Sequence, residues 1–573
     1  MLDLAPASLR LTRRRVQALR QAATLVGLLF WASFGWAQSP RHFAVATAHP
    51  QASDVGRQIL ADGGNAFDAA VAISAALAVV EPYGSGLGGG GFFLLREAAA
   101  NPVRHRFLDA RERAPLAATA DMYQRDGEVQ RHLSLNGPLA AAIPGLPAAL
   151  VELSEQRGGL PLSQSLAPAI ALARQGFAVD AVYRERAGWR LDALRDDAES
   201  ARLFLHDGDL PPLGHVLRQP ELADTLERLA RDGRAGFYAG PLARRLVDGV
   251  RDAGGIWSLA DLATYRTVER EPLRFTLHNG QHLIGAPPPS AGGLAIAQSL
   301  GLLERLDWRQ ADTLQRSHLV IEALRRAYRD RGLLGDPDFV AAPLAQLLAS
   351  PYLDQLAASV KANQATPSGE LLPTPTWREG DHTTHFTVMD AEGNAVAATL
   401  SLNMMFGAAF TVPGTGVLLN DEMDDFAADL HGSNAYGLSA SPANAIAAGK
   451  RPLSSMSPTF IDGPEAFASF GTPGGSRIPS MVLLGILAYL DGQPTHAWPA
   501  VPRFHHQYLP DVVEYEEDAF SGQQLDDLKA LGHRLTPMKR AYGNLQVIHW
   551  DKRSGTVEAA SDPRGIGTAL VGN

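Results

Sequence analysis

Cysteine is absent from all 573 residues. That absence removes thiolate nucleophiles, disulfides, iron–sulfur clusters and cysteine-based zinc sites together. Chemistry here must use oxygen, nitrogen or a borrowed cofactor. Positive charge is also in short supply, with Lys+Arg 51 against Asp+Glu 61 and a formal net charge of -10. Nothing in that overall field favours nucleic acid or an anionic membrane surface as a partner. Long apolar runs are scarce too. The run near the N-terminus, Ala22–Trp36, falls short of the ~20 residues that a membrane span needs. Hydrophobic residues at 46% and charged residues at 20% predict a folded chain rather than a disordered one. Its length predicts two domains or one large layered domain.

Arg10, Arg13, Arg14, Arg15 and Arg20 precede that run, and Gly35-Trp36-Ala37 closes it with small residues at the two positions a signal peptidase reads. Residues 1–37 therefore read as a signal peptide removed before Gln38, with a membrane anchor disfavoured by length. An exported protein without cysteine fits a bacterial periplasm or exterior, so the expected localisation is periplasmic or secreted.

Further along, Asp62-Gly63-Gly64-Asn65 reads as a turn, and Ala66–Val80 is an uncharged Ala/Val/Ile run after Asp68, predicted as a buried helix. A glycine cluster follows, from Gly84 to Gly91. Leu166–Ala181 and Thr313–Arg331 read as amphipathic helices, and Ala286–Ser290 as a proline-rich loop. From Lys361 to His382 the chain is polar, holds three prolines and lacks any period, so it is expected to be an exposed connection. A β pattern begins abruptly after it. Thr384–Met389 and Ala395–Ser401 flank the turn Asp390-Ala391-Glu392-Gly393, which predicts a hairpin. Cross-strand partners then have numbers summing to about 783. Thr383 lies opposite residue 400 or its neighbours, Ser401 among them, with Asn403 one pleat further on the same face. Taken alone, a hydroxyl and an amide facing a strand-end Thr is also ordinary hydrogen bonding.

More than the hairpin is distinctive. His382-Thr383-Thr384-His385-Phe386-Thr387-Val388 is followed by Leu418–Phe426, Arg451-Pro452-Leu453-Ser454-Ser455-Met456-Ser457-Pro458, Gly471–Arg477, Pro502–Gln507 and Ser561-Asp562-Pro563-Arg564. Upstream stand Gly63–Ala70, Gly86–Phe93, Asp109-Ala110-Arg111-Glu112 and Pro287–Gly293. This ordered set, spanning nearly the whole exported chain, resembles the γ-glutamyltranspeptidases, N-terminal nucleophile hydrolases that cut themselves into two chains. The resemblance implies an α+β fold, a four-layer αββα sandwich with two antiparallel central sheets. It also implies a precursor cut between His382 and Thr383 into a large subunit (38–382) and a small subunit (383–573) that stay together as a heterodimer. The activity implied is transfer of the γ-glutamyl group of glutathione or related amides to water or to an amino-acid or peptide acceptor, with no cofactor and no metal.

The same resemblance assigns roles. Thr383 would be the nucleophile, and its freed α-amine, titrating near pH 7.7–8.0, a base within the same residue. Ser401 matches a hydroxyl that hydrogen-bonds the nucleophile. Gly474 and Gly475 match the pair whose N–H groups hold the oxyanion, where glycine permits close approach. Arg111 matches the arginine that binds the donor α-carboxylate, and Ser454 and Ser455 match hydroxyls at that carboxylate. Asn403, Glu422 and Asp425 match the set that binds the α-ammonium, the position of Glu422 being glutamine in some relatives. Tyr436 resembles a lid tyrosine over the acyl group.

Three local patterns carry other chemistry only on paper. Gly84-Ser85-Gly86-Leu87-Gly88-Gly89 satisfies a dinucleotide fingerprint but follows a helical run rather than a strand, so a tight backbone turn is expected instead. Pro473-Gly474-Gly475-Ser476 lacks the lysine and spacing of a phosphate loop. His505-His506 are adjacent and point apart, which predicts structural hydrogen bonds rather than a metal. Two rival functions remain. A glutaryl-cephalosporin acylase would share fold and nucleophile, but glutaryl lacks the α-ammonium that Glu422 and Asp425 would serve. A non-catalytic, uncleaved binding protein is the other.

Overall fold

The computed structural model describes residues 39–371, 383–427 and 441–572. The signal segment, His382 and Tyr436 lie outside the described residues.

Thirteen strands of the described residues build two large antiparallel sheets. In chain order they are β1 (Phe43–Thr47), β2 (Gly90–Glu97), β3 (Arg104–Ala110), β4 (Val268–Arg270), β5 (Leu273–Thr276), β6 (His282–Gly285), β7 (Thr383–Met389), β8 (Ala395–Ser401), β9 (Thr459–Asp462), β10 (Ala466–Gly471), β11 (Gln546–Asp551), β12 (Thr556–Ser561) and β13 (Thr568–Gly572). The first sheet runs β13-β1-β7-β8-β2-β3-β4 and the second β12-β11-β10-β9-β6-β5. Strands from both sides of the Thr383 junction interleave in the first sheet and pair edge to edge in the second, β9 with β6, so the two halves of the chain share one body.

Alternation along the strands fixes the layering. Phe386, Val388, Val396, Ala398 and Leu400 join one core with the helices α1 (Pro50–Ala61), α2 (Ala66–Val80), α3 (Leu146–Arg157) and α4 (Leu162–Gln175). Their neighbours Met389, Ala395 and Ala397 join a second core with Phe460, Phe467 and Phe470 of the opposite sheet. The short α5 (Ala181–Trp189) sets Tyr183 against Tyr83 and Phe177, while the outer face of the second sheet is covered by α6 (Gly292–Arg305) and α8 (Ile478–Leu490), with α7 (Thr313–Arg331) packed on α6. The result is the expected αββα sandwich.

Local chemistry explains the ends. Asn65 accepts from the N–H of Phe67 (2.9 Å) and Asp68 (3.0 Å), while Asp68 accepts from the N–H of Asn65 (3.0 Å). This reciprocal cap starts α2, whose residues are all buried. The helix expected over Leu166–Ala181 is instead Leu162–Gln175. Gly176, at φ 87°, ends it in a conformation that favours glycine. The expected exposed connection also begins later than Lys361. Thr366 and Ser368 are buried, with the Thr366 N–H donating to Glu322 (3.1 Å) and that of Ser368 to Asp511 (2.9 Å). A polar, aperiodic sequence can be held down by such backbone-to-carboxylate bonds, which no periodicity reveals. The remainder, 372–382, lies outside the described residues.

Candidate active site

Thr383 is the first residue of β7 and pairs with Ser401, the last residue of β8. The hairpin register is the expected one within a single position. The hydroxyl of Thr383 is buried and has no hydrogen-bond partner among the described residues. Such an orphan is costly in a merely structural threonine and suits a group awaiting a reaction partner.

Two chain segments converge on it. On the side of the second sheet, the Thr387 and Ser469 hydroxyls meet at 2.6 Å, and Gly471 lies against the His385 ring where a Cβ would collide. One more pleat brings Thr383 level with Pro473-Gly474, and Thr383 and Gly474 line one cavity. Gly474 and Gly475 have φ of 139° and 55°, and a Cβ on Gly474 would strike the Met481 methyl. That backbone angle and that contact suit position 474 to glycine alone.

On the side of the first sheet, the chain leaves β8 through Asn403. The strand does not continue to it, contrary to the expectation of one further pleat. Asn403 sits at φ 73°, a left-handed conformation that Asn tolerates. Its N–H donates to the Ser401 hydroxyl (2.8 Å) and its amide to the Asp421 carbonyl (3.0 Å). Asp421 leads directly into the short turn Glu422–Asp425. Thr383, Ser401, Asn403 and Glu422 are therefore linked in sequence by pairing and hydrogen bonds.

That turn meets Arg111, which follows β3 and is 1% exposed. The guanidinium forms ion pairs with Glu422 and Asp425, and Glu112 stands 3.6 Å away. Its Nε donates to the Pro452 carbonyl (3.2 Å) and an Nη to that of Leu453 (3.3 Å), immediately before Ser454 and Ser455. Asn444 fastens these loops, donating to the Asp425 carbonyl (2.7 Å) and accepting from the Leu453 N–H (2.9 Å). The Ser454 N–H donates to the Pro289 carbonyl (2.8 Å), so the proline-rich loop braces the serine pair. The Ser455 hydroxyl accepts from Arg331 (3.3 Å).

Three buried carboxylates around one guanidinium make an unbalanced cluster. Burial pushes Glu422 well up from the ordinary carboxylate range and Glu112 up to about 7, with Arg111 pulling each part of the way back. Both oxygens of Glu112 and Oε2 of Glu422 are buried without a hydrogen-bond partner among the described residues. Such a cluster is complementary to a ligand that brings both an ammonium and a carboxylate. Glu112 was not singled out by sequence reasoning. Its place beside Arg111 in the Asp109–Glu112 run was the signal that could have found it.

The glycine cluster is a packing seam. A Cβ on Gly88, Gly89 or Gly90 would collide with the carbonyl oxygen of Leu418, Ser401 or Ala110 respectively. These glycines let β2 and the Leu418–Leu419 segment approach closely beside the site. His505 bonds Ser480 and Gln507 (2.9 Å each), and His506 bonds Asp511 (3.1 Å), so the adjacent rings serve separate networks. A different set, His318, Glu322 and His533, does gather candidate metal-ligand atoms. It fits a cation poorly, because Glu322 is already paired with Arg325 (3.1 Å) and Arg326 (2.6 Å). The His318 Nε2 position beside the Lys361 carbonyl (2.8 Å) assigns the proton there, leaving Nδ1 to accept from His533 (2.8 Å).

Comparison with known proteins points to one family and one fold. A family model described as Gamma-glutamyltranspeptidase matches residues 52–572. A glutathione hydrolase proenzyme of Pseudomonas sp. (strain A14) is 42% identical, covering 86% of each chain. The glutathione hydrolase proenzyme of Escherichia coli (strain K12) is 39% identical, covering 92% of this chain and 91% of the other. Among solved structures, cephalosporin acylase from Bacillus halodurans superposes with a TM-score of 0.81 at 27% identity, covering 93% and 96% of the two chains.

Proposed function

The chain belongs to the γ-glutamyltranspeptidase family, and we propose that it is an exported precursor that cuts itself before Thr383 and then transfers γ-glutamyl groups from glutathione and related amides. In the precursor, the Thr383 hydroxyl attacks the His382 carbonyl carbon, the peptide nitrogen leaves as the Thr383 amine, and water hydrolyses the resulting ester. The new α-amine titrates near ambient pH and takes the proton of its own hydroxyl in each later turnover. Attack on the donor amide gives an acyl-Thr383 ester and expels the amine half of the donor. Water or an acceptor amine then adds to the ester carbonyl, the Thr383 oxygen leaves, and the incoming group's proton returns to it.

In this reading Gly474 and Gly475 donate backbone N–H groups to the oxyanion, each worth roughly 3 kcal/mol in the transition state. Ser401 steadies the nucleophile. Arg111, with Ser454 and Ser455, takes the α-carboxylate, and Asn403, Glu422 and Asp425 take the α-ammonium.

One observation carries the choice of acyl group: three buried carboxylates surround Arg111 beside the Thr383 hairpin. A glutaryl group would bring a further anion and no cation into that cluster, which disfavours the acylase reading that the Bacillus halodurans neighbour otherwise supports. The deciding experiment sequences the N-terminus of the smaller fragment and compares γ-glutamyl with glutaryl anilide. A fragment starting at Thr383 and preference for γ-glutamyl are expected, with Thr383→Ala remaining a single uncut chain without turnover. A fragment starting elsewhere, normal turnover by Thr383→Ala, or preference for glutaryl would overturn the assignment.

A further inference from the structure

Successive side chains of β7 point to opposite faces, so Thr384 looks away from the Thr383 hydroxyl and towards the helical core that Phe386 and Val388 join. Against it lies Glu81, the residue just past α2. Glu81 is 4% exposed, and its carboxylate accepts from the hydroxyls of Thr384 (2.6 Å) and Tyr83 (3.1 Å). Its backbone is held as firmly. The N–H donates to the Leu77 carbonyl (2.8 Å), and the carbonyl accepts from the N–H groups of Gly84 (2.8 Å) and Ser85 (3.1 Å). The turn so formed packs on the first peptide unit of β7. A Cβ on Gly84 would stand 3.6 Å from the Thr383 carbonyl oxygen and 3.5 Å from the Thr384 Cβ, in ordinary contact with both. Glu81 and Thr383 also line one cavity. The mechanism above gives this carboxylate no task.

Burial pushes the Glu81 carboxyl up to about 7, against the hydrogen bonds from Thr384 and Tyr83. Asp180, at the start of α5, pushes it further up, and Arg186 on α5 draws it down. Asp180 has the His49 ring 3.8 Å away. The other guanidiniums of the cavity stand beside acids of their own: Arg477 by Glu514 (2.8 Å), Arg564 by Glu516 (2.6 Å) and Arg540 by Glu185 (3.9 Å). Asp180 and Arg186 act with opposite signs, so Glu81 is a buried acid whose ionisation calls for a further positive charge. Scission before Thr383 creates one. The amide nitrogen of the precursor is neutral, whereas a freed α-amine is protonated up to its ordinary pKa of about 7.7–8.0.

We propose that Glu81 is a positioning residue for the α-amine of mature Thr383: its carboxylate fixes the start of β7 through Thr384 and serves as counter-charge to the ammonium that scission creates. This rests on the reading of self-cleavage and γ-glutamyl transfer above. In the precursor the carboxyl keeps its proton to about neutral pH. Once the amine is free, that proton passes to nitrogen and leaves an ammonium–carboxylate pair, which titrates as a unit. An anion close by favours the protonated amine, so it raises the pH at which the amine becomes available as a base. The low end of the usual effect of an opposite charge is about one pH unit, which suits a pair separated by Thr384.

The test follows kcat/KM of the mature enzyme for a γ-glutamyl anilide across about pH 6–10. Glu81→Gln still accepts from the Thr384 hydroxyl but carries no charge. Its acid limb should move about one pH unit lower than in the wild-type protein, with kcat on the alkaline plateau kept within about twofold. Glu81→Ala should show the same shift and a lower plateau, because the start of β7 loses its anchor. An acid limb that stays in place in Glu81→Gln, whatever its plateau, or one that moves to higher pH, would overturn the proposal while leaving γ-glutamyl transfer standing. Should Glu81→Gln fail to mature, the wild-type amine decides. Its labelling by acetic anhydride against pH, read by mass spectrometry of the small subunit, should follow a pKa at or above about 7.7 although Thr383 is half-buried. A lower value would overturn the proposal. Absence of anilide cleavage by the wild-type protein, or a small subunit starting elsewhere than Thr383, would instead overturn the parent reading, and this proposal with it.

Discussion

Replacing Arg111 by alanine perturbs the arrangement on which donor recognition turns. In the ligand-free protein its guanidinium is paired with Glu422 and Asp425 and anchored to the Pro452 and Leu453 carbonyls. A bound α-amino acid would exchange partners within this cluster, its carboxylate taking N–H donors of Arg111 while its ammonium takes the acids. Two charge-assisted hydrogen bonds at ~1.5–3 kcal/mol each give roughly 3–6 kcal/mol. That corresponds to a donor KM raised by roughly 10²–10⁴-fold. Folding is also affected, since removing one partner of a buried ion pair costs about 3–5 kcal/mol. Part of this is relieved because Glu112 and Glu422, already shifted upward by burial, can take up protons. Initial rates on a γ-glutamyl anilide give KM and kcat, gel electrophoresis gives the extent of self-cleavage, and thermal denaturation gives stability. Two fragments, a greatly raised KM and a lower Tm are expected. A KM rise below tenfold would refute donor binding by Arg111, and accumulation of uncut precursor would mark it as a residue needed for maturation.

Two further outcomes follow from the same geometry. The Glu112 carboxyl is pushed up to about 7 by burial, so between about pH 4.5 and 7 the folded state holds a proton that the unfolded state has released. Its contribution is therefore full below the unfolded value and lost as pH rises through about 7, a change of about 3 kcal/mol. Glu112→Gln should consequently gain in Tm over the wild-type protein as pH goes from 5 to 8, and a constant or shrinking difference would contradict the shift. Gly474→Ala forces a Cβ against Met481 at φ 139°. It should lower kcat by roughly 10²-fold with a smaller effect on donor KM, as expected for a displaced oxyanion donor. Full activity would show that the turn is not used in this way.

Much of this protein was legible in its residue order because the governing interactions are local. Asn65 and Asp68 declare the start of α2, and the Asp390–Gly393 turn sets a register that brings Thr383 opposite Ser401. Ser454, Ser455, Gly474 and Gly475 were marked by the resemblance of their segments to one family. Residue order also placed the likeness to one family. Where the sequence misled, a local pattern was overruled by distant partners: Asn403 leaves the strand to reach Asp421, and Thr366 and Ser368 are drawn inward by Glu322 and Asp511. Only the tertiary structure decided that Glu112 joins Glu422 and Asp425 around one guanidinium. Charge balance in a buried site depends on segments hundreds of positions apart meeting in a medium that screens poorly, and no pattern along the chain reports that sum.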